Sequence, residues 1–183
     1  MSEKTSWDVI VIGGGPAGST TARYLAEGGA DVLVVDGRDP IGTPLQCGEL
    51  VPTNEEMRRL CPKVPNIDDL LRTPEDAISR KTSEMHLVPP SGKPLRFQFE
   101  GYMLNRVAHD EALVDLAKSR GAEYLVNSRV DSIDGNTVKL RSGRELNAKV
   151  IVGAGGHNDP LRRTFWNESS LKIPVKFVLM DGD

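Results

Sequence analysis

The sequence predicts an α/β fold in which a βαβ unit is joined to the beginning of an antiparallel sheet. Three observations carry this. The apolar run Val9–Ile12 breaks into Gly13-x-Gly15-x-x-Gly18 and then turns helical. A second apolar run, Val32–Val35, ends at Asp36. Between residues 85 and 99 the periodicity changes from helical to alternating. The first two together spell the phosphate-binding unit of Rossmann-like folds.

Each glycine of that unit meets a different demand. Gly13 permits a tight turn out of the strand, Gly15 lets backbone approach a pyrophosphate, and Gly18 lets the helix pack close to the sheet. A phosphate is expected at the helix N-terminus beside Ala17, where unpaired N–H groups and the helix dipole favour negative charge. Gly18, Ala22, Leu25 and Gly29 recur on one helix face. Asp36, eighteen residues past Gly18, is placed to accept the two ribose hydroxyls. Arg38 close behind it reads as a solvated loop arginine.

Residues 37–50 are too rich in Gly and Pro for a regular element and form a loop at the carboxyl end of a strand, where ligand crevices lie. Thr53–Leu60 and Asn66–Leu71 read as short helices, each opening on a capping residue followed by acids. In the alternating segment Pro89–Gly92 is a turn, and Leu95, Phe97 and Phe99 form an apolar face opposite Arg96, Gln98 and Glu100. This half-buried ribbon is expected to belong to a second sheet, the floor of a substrate domain. Val107–Arg120 follows as a helix with Val107, Leu113, Leu116 and Ala117 on its buried side, stopping at Gly121. Strands are expected at 123–126, 130–133 and 137–140, the last two joined through Asp134-Gly135, and again at Lys149–Val152 before Gly153–Gly156. Pro174–Met180 reads as a strand with no partner, so the chain is expected to be the amino-terminal part of a longer protein. The domain expectation is a discontinuous nucleotide-binding domain, 1–80 with 101–165, and the start of a substrate domain, 81–100 with 166–183.

Composition narrows the function. Twenty-three basic against 26 acidic residues, with the basic ones scattered, disfavour nucleic acid as a partner. No apolar stretch approaches the ~20 residues that span a bilayer, and the N-terminus carries no apolar signal segment, so the expected address is cytoplasmic. Cys47 and Cys61 are expected as reduced thiols. His86, His109 and His157 have no metal-ligand partner at useful spacing, so no metal site is expected. Absence of a Gly-x-Ser-x-Gly elbow removes the main hydrolase class. Cys61, beside Pro62, reads as packing. Cys47 lies in a loop between Gly42 and Gly48, a poor place to bury a small hydrophobe, and is a candidate for cofactor contact.

Several stretches resemble the flavoproteins that include aromatic hydroxylases, and most closely the geranylgeranyl reductase family. They are the βαβ unit 8–36, the loop Ile41-Gly-Thr-Pro-Leu-Gln-Cys-Gly-Glu-Leu50, and Leu104-Asn-Arg106-Val-Ala-His-Asp110. The loop is similar to the family's Cys-Gly-Glu/Asp-Gly segment, with Leu50 in place of its last glycine. The third stretch is similar to Arg-x-x-Phe/Leu-Asp at a helix start, with His109 replacing the apolar residue. A fourth, Gly153–Arg162, resembles Gly-Ala-Asp-Gly-x-x-Ser-x-Val-Arg, with Gly155 for the acid and Asp159 for the serine. The family's later Gly-Asp motif has no counterpart of suitable spacing.

The resemblance implies FAD as cofactor, with Cys47 and Gly48 beside the flavin, Arg106 in contact with it and the Val130 backbone meeting the adenine. Cys47 is the candidate catalytic residue. Arg106 has a plainer reading as the ion-pair partner of Asp110 or Glu111. The implied reaction is reduction of isoprenoid double bonds in a lipid or pigment precursor by hydride from reduced flavin. The electron donor, NAD(P)H or ferredoxin, stays open, and the enzyme would work at a membrane surface without spanning it. Two other readings remain: a monooxygenase or halogenase using NAD(P)H and oxygen, which Gly155 disfavours, and a truncated, non-catalytic nucleotide-binding fragment.

Overall fold

The computed structural model describes residues 4–45 and 47–166. They fall into two compact units, one of residues up to Pro44 together with Leu113 onward, the other Leu45–Ala112.

The first unit is built on a six-stranded sheet. Strand β1 (Ser6–Ile12) leads through helix α1 (Pro16–Glu27) to β2 (Val32–Val35). The strands β6 (Glu123–Leu125), β7 (Val130–Asp134), β8 (Thr137–Leu140) and β9 (Glu145–Gly153) complete the order β6-β2-β1-β9-β8-β7. The four strands from β6 to β9 are parallel, and β8 and β7 continue antiparallel. The apolar runs explain this placement, because a strand that is apolar at every position is stable only where both sheet faces are covered. Val9, Val11, Val32 and Val34 pack on one face with Ala22, Ala117 and Ala122, while Ile10, Ile12, Leu33 and Val35 pack on the other with Val138, Leu140 and Leu146. Burying each such side chain contributes about 1.5–3 kcal/mol. Glycines end the elements as the sequence suggested: Gly121 (φ +104) follows the long helix and Gly135 (φ +55) turns the β7–β8 hairpin. Gly29 lies beyond the end of α1, at φ +85, and belongs to the turn rather than to the helix face.

The second unit holds a three-stranded antiparallel sheet of β3 (Leu50–Pro52), β5 (Leu95–Leu104) and β4 (Ile78–Leu87), in that order, with the short helices α2 (Asn54–Leu60) and α3 (Ile67–Leu70). Thr53 caps α2 by accepting from the Glu56 N–H at 3.2 Å. Helix α4 (Arg106–Ser119) begins here, its first turn capped by Asn105, whose Oδ1 accepts from the Ala108 N–H at 3.2 Å.

The ribbon is longer than its alternation suggested and differs in burial. Residues 78–84 are polar in sequence yet pair with 98–104 along β5. Leu95 and Phe97 were expected on a buried face; Leu95 is 65% exposed and Phe97 42%. Among the described residues both stay exposed, and alternation reports only that two faces differ, not that one is covered. The expected strand Pro174–Met180 lies outside the described residues. Among the described residues no helix is long and apolar enough to cross a membrane.

Candidate functional site

In the first unit the carboxyl ends of β1, β2 and β9 meet, with β1 flanked on its two sides by strands reached through different connections, the place where open α/β sheets bind ligands. The Gly13 N–H donates to the Val35 carbonyl at 2.8 Å, and the Ala154 N–H to the Ile12 carbonyl at 2.8 Å. Gly13 has φ +105, and a Cβ there would lie 2.3 Å from the Ala154 oxygen. At Gly18 a Cβ would meet the Gly13 oxygen at 1.8 Å, so this position brings α1 onto the turn. Gly15 is different: the nearest atom to its Cβ site is an Arg38 guanidinium nitrogen at 3.9 Å. A Cβ there would stand in ordinary contact with Arg38 without overlap, at the start of α1, whose first turn carries no acid and no side-chain cap. The arrangement suits a phosphate.

The Asp36 carboxylate is held from several sides. Asp36 is 6% exposed; its Oδ2 accepts from the Gly14 N–H at 2.7 Å and from Arg38 Nη2 at 2.8 Å. Its Oδ1 accepts from the Arg38 N–H at 2.8 Å and from Arg38 Nε at 2.9 Å. Burial pushes the Asp36 carboxyl up, but the Arg38 and Gly14 hydrogen bonds outweigh it and hold the pKa below the ordinary aspartate value. The solvated arginine expected at position 38 is thus a bidentate partner of Asp36, because a two-residue turn after the strand returns the side chain onto the acid. Ahead of Val130, the Ser128 N–H donates to the Asp36 carbonyl at 2.9 Å, and Val130 itself pairs with Leu140.

Beneath the turn, the fully buried Ser19 hydroxyl donates to the Gly14 carbonyl at 2.8 Å and accepts from the Tyr124 hydroxyl at 2.9 Å. Burial pushes the Tyr124 phenol up to about 12, against the Ser19 hydrogen bond. Asp159 is 5% exposed and caps α5 (Pro160–Trp166): Oδ1 accepts from the Leu161 N–H at 2.8 Å, and Oδ2 from the Gly155 N–H at 2.6 Å. Sequence reasoning passed over Gly14, Ser19 and Tyr124, and treated Asp159 only as a missing serine. Asp before Pro at a helix start was the available signal for the cap; Tyr124 gave none.

The second unit brings Cys47 and Arg106 together. Arg106 interacts with the Cys47 thiol, and the Cys47 Sγ also accepts from the Glu49 N–H at 3.4 Å. On its other side Arg106 forks onto Asp110, Nε to Oδ1 at 2.8 Å and Nη2 to Oδ2 at 3.2 Å, as the plainer reading of that arginine held. Asp110 is 2% exposed and is also met by His109 Nδ1 at 3.1 Å. Burial pushes the Asp110 carboxyl up, and the His109 and Arg106 hydrogen bonds hold it below the ordinary range. The Asp110 hydrogen bond in turn raises the Arg106 pKa. Gly48 leaves open space where a side chain would stand. Among the described residues no group of three or more His, Cys, Asp or Glu could hold a metal ion.

Residues 8–48 match the family described as FAD dependent oxidoreductase. An uncharacterized protein in the nifH2 5′ region of Methanosarcina barkeri is 35% identical over 161 residues, covering 86% of this chain and 87% of that protein. The digeranylgeranylglycerophospholipid reductase of Methanosarcina acetivorans is 32% identical over 183 residues, covering 92% of this chain. The chain belongs to one family with the M. barkeri protein; it carries the FAD-dependent oxidoreductase domain, and its named homologues are digeranylgeranylglycerophospholipid reductases. It spans 42% of the M. acetivorans reductase. Among solved structures, a geranylgeranyl bacteriochlorophyll reductase-like protein from Thermoplasma acidophilum matches with a TM-score of 0.70 at 29% identity, over 84% of this chain and 40% of that one. A probable FAD-dependent monooxygenase from Pseudomonas aeruginosa, at 19% identity and a TM-score of 0.63 over 93% of this chain and 48% of that one, shares the fold alone. FAD is the cofactor of the family.

Proposed function

We propose that this chain is the FAD-holding, amino-terminal portion of a reductase that saturates isoprenoid double bonds in lipid precursors. The observation that carries the reading is the glycine turn with its buried acid: Gly15 without a side chain before an uncapped helix, and the Asp36 carboxylate fixed beside it by the Gly14 N–H. Similarity at 32% identity to a digeranylgeranylglycerophospholipid reductase supports the substrate class.

The residues present fit an FAD. Gly13 and Gly18 shape the turn, Gly15 and the N–H groups at Ala17 receive the pyrophosphate, Asp36 accepts the ribose hydroxyls, and the Val130 backbone borders the adenine. Cys47, Gly48 and Arg106 are the residues proposed for the flavin end, Arg106 as a cation held by Asp110. FAD, when bound and reduced, supplies hydride to an alkene carbon. The protein's share is to keep the prenyl chain dry and aligned, and Cys47 is the residue proposed to face the reacting carbons. A lipid or prenyl substrate is the proposed partner, taken from a membrane surface.

The test is the visible absorption of the purified chain, with released cofactor identified by mass. Yellow protein releasing FAD is the expected result. Colourless protein that stays so after incubation with FAD would overturn the cofactor assignment and support the reading as a non-catalytic fragment. With FAD bound, a dithionite-reduced sample given a geranylgeranylated glycerophospholipid is expected to add two hydrogens per double bond, and Cys47→Ala to slow that addition without bleaching the flavin.

A further inference from the structure

The distal end of the β4–β5 ribbon is an exposed apolar tip with no function in the fold. Val88 is 68% exposed, Leu95 65%, Leu87 52% and Phe97 42%. Met85 pairs with Phe97 and Leu87 with Leu95, so these four share one face, while His86 and Arg96 pair on the other. The turn between the strands is closed by the Gly92 N–H donating to the Pro89 carbonyl at 2.9 Å. Every residue from Leu87 to Gln98 is exposed except half-buried Pro89.

We propose that this tip is a membrane-docking element that inserts Leu87, Val88, Leu95 and Phe97 into the interface of an anionic bilayer.

Two features favour lipid over protein. The first is charge. Residues 85–99 contain no Asp or Glu, although the whole chain carries 26 acids against 23 bases, and Lys93 and Arg96 stand within this acid-free stretch. Basic groups beside an apolar tip meet the negative surface of a membrane with the complementary sign. The second is the backbone. Pro89, Pro90 and Pro94 lie at the tip and have no N–H, so the turn carries fewer donors to strip of water on entering an interface. Exposure that continues round the turn suits an inserted point, whereas a flat protein interface covers one face.

The inference goes beyond the cofactor reading and does not depend on it. The test is flotation of the full chain with vesicles of phosphatidylcholine alone or phosphatidylcholine mixed with phosphatidylglycerol. The unmodified chain is expected to float with the anionic vesicles, and less so in high salt. Lys93→Gln and Arg96→Gln are each expected to weaken partitioning by about five-fold. The double variant Leu87→Ser/Phe97→Ser is expected to remain in the unbound fraction with an unchanged far-ultraviolet circular dichroism spectrum. Leu60→Ser, an equally exposed apolar position on α2, should float like the unmodified chain. Absence of flotation, or equal flotation of the double variant, would overturn the proposal. So would self-association of the unmodified chain that the double variant abolishes without any vesicle binding, since the face would then be a protein interface.

Discussion

The Arg38 guanidinium grips the Asp36 carboxylate on both oxygens, Nε to Oδ1 at 2.9 Å and Nη2 to Oδ2 at 2.8 Å. With the N–H groups of Gly14 and Arg38, the carboxylate accepts four hydrogen bonds, which is all its lone pairs allow. On the proposed function, ribose hydroxyls would reach Asp36 only by displacing the fork. Arg38→Ala is expected to tighten binding of ADP or FAD by about five-fold, the exchange of roughly one hydrogen bond, read as Kd by calorimetry. Weaker binding in the variant would show that Arg38 holds the nucleotide itself.

Gly18 and Gly15 separate fold from binding. An alanine Cβ at position 18 would overlap the Gly13 oxygen, at 1.8 Å, so Gly18→Ala is expected to cost about 3 kcal/mol or more in urea unfolding. At position 15 the added methyl meets nothing closer than 3.9 Å and φ is −67°, so Gly15→Ala should leave stability within about 0.5 kcal/mol. It stands where a pyrophosphate would approach, and a ten-fold or greater loss of FAD affinity is the expected outcome. Unchanged affinity would move the pyrophosphate elsewhere.

Asp110 ties stability to pH. Its folded pKa is depressed, against burial, by His109 and Arg106, so its contribution is present above the unfolded value of about 3.9 and lost as pH falls through the folded one. Asp110→Ala leaves the Arg106 guanidinium, 23% exposed, without its carboxylate and should cost about 3 kcal/mol at pH 7. Urea midpoints of the two proteins should converge on acidification toward pH 3. Parallel curves across that range would mean that Asp110 acts by packing alone.

Asp159→Ala removes the acceptor of the Leu161 and Gly155 N–H groups, and about 1–2 kcal/mol of helix stability with it. Trp166, at the end of α5, reports the loss as a change in fluorescence. Asp159→Ser keeps an N-cap oxygen and is expected to restore most of the signal; failure of that rescue would assign the effect to charge instead.

Much of the first unit was legible because its signals are local. Val9–Ile12 and Val32–Val35 are apolar at successive positions, which only a strand covered on both faces tolerates, and the glycines between them encode a turn that no other residue enters. Arg38 was misread because a charged loop residue gives no sign of folding back on a neighbour, and the burial that makes the pairing worthwhile is a property of the sheet end. Leu95 and Phe97 were misread for the converse reason: their alternation marks an amphipathic ribbon, and nothing in the stretch says whether another element covers it.

The sequence by itself determined the βαβ unit, its glycine turn and the hairpin at Gly135, all of them set by residues close in the chain. Only tertiary structure decided that Tyr124 supports Ser19 across 105 positions, that Cys47 meets Arg106 and that the ribbon tip stays open to solvent. Those relations depend on which strands pair and what lies over them, and the free energy of burial that selects them belongs to the assembled fold rather than to any segment.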